Sequence, residues 1–212
     1  VVVVDLPRCG VDGSVFPALV CAVSFIPSRT TSGQQQQQQQ QRGGVNLRVA
    51  NVHLRPPLEL DGKAFLSTER TTGSVRRAEI KELLSQISCS INATIDPSSS
   101  QQQEQQSPTS SLLDIVAGDF NEDDGRDGLS HLCQKAGLKD ALAEFVPRHQ
   151  ETHRWPFHYG TTLRKRLDHI TYNPTMLECL GCGVMSGYES GASDHLPVLA
   201  RFAVVDDGDS EN

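Results

Sequence analysis

Short apolar runs bounded by Gly, Pro or Asn recur along the chain. They predict strands at 1–6, 19–26, 45–53, 112–118, 166–173, 177–185 and 196–205. One segment has a different period. Over 74–91, Ile80, Leu83, Leu84, Ile87 and Ile91 return at three- and four-residue steps, the spacing of a helix with one apolar face. Arg76, Arg77, Glu79, Lys81 and Glu82 fall on its other face, and the two arginines are expected to be exposed there. A shorter helix is predicted over 128–136, after the acidic stretch 122–127 and before Gly137. The order is three strands, helix, strand, helix, three strands. That is mixed α/β, and the final strands, with no helix between them, require antiparallel pairing in part of the sheet.

Polar stretches of another kind interrupt this pattern. An unbroken glutamine run fills 34–41 within 28–44, a Ser/Gln/Pro tract occupies 92–111, and 206–212 is an acidic tail. They read as disordered segments placed between or after elements, where extra loop length adds little closure entropy. Glutamine tracts also self-associate as β-structure, so an interaction role stands beside that of a tolerated expansion. These tracts lower the apolar share of the 212-residue chain to 37% and the aromatic share to 5%. What remains of 1–205 suits one domain. The net charge of −7, from 19 Lys+Arg against 26 Asp+Glu, disfavours a strongly basic nucleic-acid binder. Much of it lies in Asp206, Asp207, Asp209 and Glu211 and in Glu122, Asp123, Asp124 and Asp127. A polyanionic substrate therefore remains compatible, while long, salt-sensitive tracking along DNA is disfavoured. The longest apolar stretch, 16–26, carries Pro17 and is too short to span a bilayer. The chain opens on Val1-Val2-Val3-Val4 without a signal-peptide pattern, and a start inside a strand predicts a domain whose beginning is missing. Cysteines 9, 21, 89, 133, 179 and 182 are too scattered for a disulfide framework. Cys179 and Cys182 have no second pair to complete a zinc site, so ordinary thiols are expected. The sequon at Asn92 decides nothing about compartment.

Four segments end or begin strands on polar residues able to do chemistry. They are Asn51-Val52-His53-Leu54, Gly118-Asp119-Phe120-Asn121, Arg166-Leu167-Asp168-His169-Ile170 and Ser193-Asp194-His195-Leu196-Pro197-Val198. Each has a plain structural reading: a turn at 118–121, a cap at 193–194, a satisfied core histidine at 53. Asp168 is harder to explain structurally, because a carboxylate in an apolar run needs a partner to offset its desolvation.

Together the four segments resemble the endonuclease/exonuclease/phosphatase superfamily of deoxyribonuclease-I-like nucleases, phosphatases and related phosphodiesterases, over about 45–202. The resemblance implies two packed mixed β-sheets flanked by helices in a four-layer sandwich, incomplete at the N-terminus. It implies a phosphoester hydrolase dependent on Mg²⁺ or Mn²⁺. Carried onto this sequence, Asp119 orients or deprotonates the attacking water, and Asn121 meets a phosphoryl oxygen. Asp194 sits at the metal, His195 and His53 contact the phosphate, and Asp168 fixes the tautomer of His195. The chemistry is consistent with those types, since an inert phosphodiester needs a cation, a positioned water and donors aimed at the transition state.

This sequence departs from the family pattern in its first part. The early-strand Asn and the Glu, usually after Gln, that serves as main metal ligand are not found before Val45. Gln103-Glu104 lies in low-complexity sequence, and Gln150-Glu151 follows the Gly-Asp-Phe-Asn segment. His53 is then expected to lack its acidic partner, and the chain alone to bind metal weakly and hydrolyse phosphodiesters poorly. The rival reading is a non-catalytic scaffold acting through its glutamine tracts. For substrate, Arg164-Lys165-Arg166 with Trp155, Phe157 and Tyr159 admits two readings: a phosphate-rich ligand such as nucleic acid or a phosphoinositide, with Arg166 in contact, or a solvated turn with packed aromatics. The expected state is a monomer.

Overall fold

Alternation along one strand divides the protein into layers. In Val45–His53, Ala50 and Val52 are buried toward one side with Ile80 and Leu83, while Val45, Leu47 and Val49 face Leu177 and Phe202 on the other. The structure, a computed structural model, describes residues 2–4, 17–25, 45–56, 59–60, 63–64, 71–94, 112–123, 125–156, 160, 162–185 and 193–205. The tracts 28–44 and 95–111 and the tail 206–212 lie outside them.

The elements in chain order are β1 (Val2–Val4), β2 (Ala18–Phe25), β3 (Val45–His53), β4 (Glu59–Leu60), β5 (Lys63–Ala64), α1 (Thr72–Thr94) and β6 (Ile115–Asp119). There follow α2 (Gly128–Ala136), β7 (Lys139–Asp140), α3 (Ala141–Phe145), β8 (His153–Pro156), β9 (Thr162–Lys165), β10 (Asp168–Tyr172), β11 (Leu177–Val184) and β12 (Val198–Val204). A six-stranded sheet has the order β1-β2-β3-β6-β10-β7. Only β3 and β6 pair in parallel; the other neighbours are antiparallel. A parallel pair needs a long crossover, and α1 lies within it.

α1 and α2 cover the face that carries Ala50, Val52 and Val116, with Ile80, Leu83, Leu129 and Leu132 in the shared core. α1 begins at Thr71, whose Oγ1 accepts the Ser74 N–H at 3.3 Å. α2 opens on the Glu122 carboxylate, which accepts the backbone N–H groups of Asp127, Gly128 and Leu129. It closes on Gly137 in the left-handed region (φ 68°). The antiparallel β11–β12 ladder covers the opposite face of the sheet. Leu177, Ala200, Phe202 and Val204 meet Leu47, Ile115 and Tyr172 there. Cys179 and Cys182 pack in the same layer, on either side of an irregularity in the β11 register, and the described cysteines are free thiols.

The class is the mixed α/β expected, with differences in detail. The 128–136 helix and the 45–53 strand have the expected bounds. The long helix runs from Thr72 to Thr94, so its backbone enters the first residues of the Ser/Gln/Pro tract. Arg76 and Glu79 are not on an exposed face. They are 6% and 2% exposed, buried where α1 meets α2 and the end of β3. Arg76 N–H groups donate to the Arg55 carbonyl and to Asp127, while Glu79 accepts the Arg55 N–H at 2.9 Å. No described helix is long and apolar enough to cross a membrane.

Candidate active site

The register of three strands places three chemical groups in one row. His53 at the end of β3 stands opposite Asp119 at the end of β6, and Asp119 stands opposite Asp168 at the start of β10. All three continue the alternation that sends Val49, Ile115 and Tyr172 toward β11–β12, so they project at the rim on that face. His53 Nε2 is 3.5 Å from Asp119 Oδ2. His53 thus has an acidic partner, contrary to the expectation that its partner belonged to an earlier part of the chain.

The Gly-Asp-Phe-Asn segment assigns each residue a different task. Gly118 has φ 140°, and a Cβ there would stand 1.9 Å from the Val52 carbonyl oxygen, so only glycine allows β3 and β6 to approach so closely. Phe120 is fully buried, edge-on to His169, and anchors the turn in the core. Asn121 is the one described non-glycine residue with positive φ (53°), and its N–H donates to Asp119 Oδ1 at 2.8 Å. The Asn121 amide donates both its hydrogens, to the Leu54 carbonyl at 2.9 Å and to Asp119 Oδ2 at 3.0 Å. In this arrangement Asn121 braces Asp119.

His195 reaches this row from the loop before β12. Its Nδ1–H donates to Asp168 Oδ2 at 2.9 Å, and its Nε2 lies 3.9 Å from Asp119 Oδ2. The hydrogen bond to Asp168 is the largest influence on His195 and raises its pKa, against the opposing effect of burial. Burial is the largest influence on Asp119 and raises its pKa; Asp168 adds to this, while the Asn121 N–H, His53 and His195 oppose it.

Sequence reasoning missed the device that holds these groups together. The backbone of Thr152-His153-Arg154 pairs antiparallel with 194–196: Leu196 N–H donates to Thr152 O at 2.7 Å and Arg154 N–H to Asp194 O at 2.8 Å. The buried Thr152 Oγ1 accepts the N–H groups of Leu167 (2.9 Å) and Asp168 (3.0 Å). One threonine thereby positions both members of the His195–Asp168 pair. His153 follows it, with Nε2 3.2 Å from Asp194 Oδ2 and its ring 4.6 Å from that of His195. The one signal available was a polar Thr-His pair opening an alternating segment. Glu151, in the misplaced Gln-Glu pair, accepts from Arg154 and Arg164 instead of facing the row.

Arg166 does not join the group. Its backbone N–H donates to Asp123, and its guanidinium is buried and turned to the Val146 carbonyl at 3.3 Å. Arg166 follows the end of β9 with its side chain inside, turned away from the row where a substrate contact was expected. The acidic stretch is also occupied: Asp123 meets Lys165 at 2.8 Å, and Asp127 meets Arg76 and Arg77 at 3.1 and 2.7 Å.

Among the described residues one group of side chains could hold a metal ion. One ligand atom from each of His153, Asp194 and His195 lies within 4.8 Å of the others. A carboxylate with open neighbouring positions accommodates Mg²⁺, which typically takes one or two carboxylates, several waters and substrate oxygens, while the imidazoles add affinity for Mn²⁺ and later metals.

The strand order and this rim define a deoxyribonuclease-I-like fold, that of the endonuclease/exonuclease/phosphatase structures. No family model and no curated protein matches the sequence. Solved structures do match. The human Nocturnin catalytic domain with bound sulfate is similar at TM-score 0.56 and 16% identity, over 96% of this chain and 58% of that one. An endonuclease/exonuclease/phosphatase family protein from Bacteroides thetaiotaomicron gives 0.52 and 18%, over 97% and 65%. D. rerio TDP2 complexed with a single-strand DNA product gives 0.51 and 16%, over 95% and 66%. This chain thus spans less than two thirds of each of these relatives in fold.

Proposed function

We propose that the protein is a divalent-metal-dependent phosphoester hydrolase using an activated water. The observation that carries this reading is the row His53–Asp119–Asp168 with His195 hydrogen-bonded to Asp168 at its edge. Asp119 has a raised pKa and accepts two hydrogen bonds from Asn121, one from the backbone and one from the side chain. So held, it orients the water and accepts its proton. His53 presents a ring nitrogen to the phosphoryl oxygens, and Asp168, accepting the His195 Nδ1–H and raising its pKa, favours the protonated ring whose Nε2–H faces the substrate. Asp194, with His153 beside it, would hold the cation, whose charge offsets that of the phosphoryl oxygens. The solved structures of this fold, one with sulfate and one with a DNA product, support an anionic ester as ligand. Residues 1–205 act in this reading as one domain and as a monomer.

Hydrolysis of bis(4-nitrophenyl) phosphate, slow in this chain alone and faster in an N-terminally extended one, is expected to need added Mg²⁺ or Mn²⁺ and to stop with EDTA. It is expected to fall by about a hundredfold or more in H195A and D119N. Activity that survives EDTA, or that H195A leaves intact, overturns the proposal.

A further inference from the structure

One conspicuous group takes no part in this chemistry. Trp155 is the single tryptophan of the chain and is 54% exposed on β8, a large apolar surface left in water. The register of the β8–β9 hairpin sets Trp155 opposite Leu163, itself 47% exposed, and His153 opposite Lys165. Residues two apart on a strand share a face, so His153, Lys165, Trp155 and Leu163 lie on one side of the hairpin. Along that side the Trp155 ring is 6.0 Å from that of the buried His153, and the His153 ring is 4.6 Å from that of His195.

We propose that Trp155 and Leu163 form a platform for the nucleobase of a nucleotide ester whose phosphate lies at His53, Asp119 and His195. This deepens the phosphoester-hydrolase reading and rests on it. The ring-to-ring steps from Trp155 through His153 to His195, 6.0 and 4.6 Å, suit the reach of a base joined to its phosphate through a sugar. The indole and leucine surfaces offer a flat apolar bed, which stacks a nucleobase but leaves the hydroxyls of an inositol unpartnered.

Because Trp155 is the only tryptophan, its fluorescence reports this site without turnover. Adenosine 5′-monophosphate is expected to quench it saturably and to be displaced by inorganic phosphate. By calorimetry it should bind roughly tenfold tighter than ribose 5-phosphate. W155A should abolish that preference, and W155F should restore most of it. Equal affinity for the two ligands in the wild-type protein, or a preference that W155A retains, overturns the platform. Quenching by adenosine and its monophosphate alike, with no competition by inorganic phosphate, would keep the platform as a base site and overturn the phosphoester reading. A preference for inositol 1-phosphate over adenosine 5′-monophosphate would place the ring specificity elsewhere and also overturn the platform.

Discussion

Asp168 holds the imidazole of His195 from one side, and Thr152 in turn holds the Asp168 backbone. Exchanging the carboxylate for an amide keeps the size but removes the charge that favours Nδ1–H and raises the pKa of His195. D168N is therefore expected to lower the turnover of a phosphodiester on the order of a hundredfold, with an unchanged circular dichroism spectrum. A rate within a factor of about two of wild type would show that the Asp168 carboxylate is not needed to hold His195 for the chemistry. At this scale the sequence disclosed the groups whose type is unusual for their place: Asp168 in an apolar run, His195 beside an aspartate, Asp119 between turn formers. Thr152 and His153 escaped notice because their task is relational. A threonine hydroxyl that receives two N–H groups from a later strand leaves no trace in spacing or composition.

The close approach of β3 to β6 depends on Gly118. A methyl group there would collide with the Val52 carbonyl oxygen, and the φ of 140° is itself costly for any other residue. G118A is expected to destabilise the protein by about 3 kcal/mol or more, measured by urea unfolding. A loss below about 1 kcal/mol would mean that the two strands separate without consequence. The long elements were legible because their signals are periodic: the apolar steps of α1, the run of β3, the apolar stretches of β11 and β12. The hairpin β8–β9 and the short β7 and α3 were not, since a few residues carry too little pattern. Arg76 and Glu79 misled for a related reason. Periodicity assigns charged residues to the solvent face, but here two buried charged side chains of α1 meet Arg55, Asp127 and Glu122 across elements distant in sequence.

Across the whole molecule, burial of Glu79 couples folding to pH. Desolvation is the dominant influence and raises its pKa from 4.5 to about 7, against the opposing pull of Arg55 and Arg76. The folded chain then keeps a proton that the unfolded chain releases, so this group's contribution favours folding most at low pH and is lost as pH rises from about 4.5 to about 7. The loss is roughly 3 kcal/mol. Urea unfolding of E79Q is expected to show a shallower fall in stability over that window than wild type; parallel curves would show that Glu79 is ionised throughout. The row of His53, Asp119 and Asp168 has a consequence for the order of events during folding. Its members come from strands far apart in the chain, and β3 and β6 pair in parallel only after the whole intervening segment has been gathered in. Any form of the chain without the β3–β6 pairing lacks the paired groups. In the proposed reading, a newly made chain would therefore be silent toward esters until the long-range pairing that completes its core has also completed its rim.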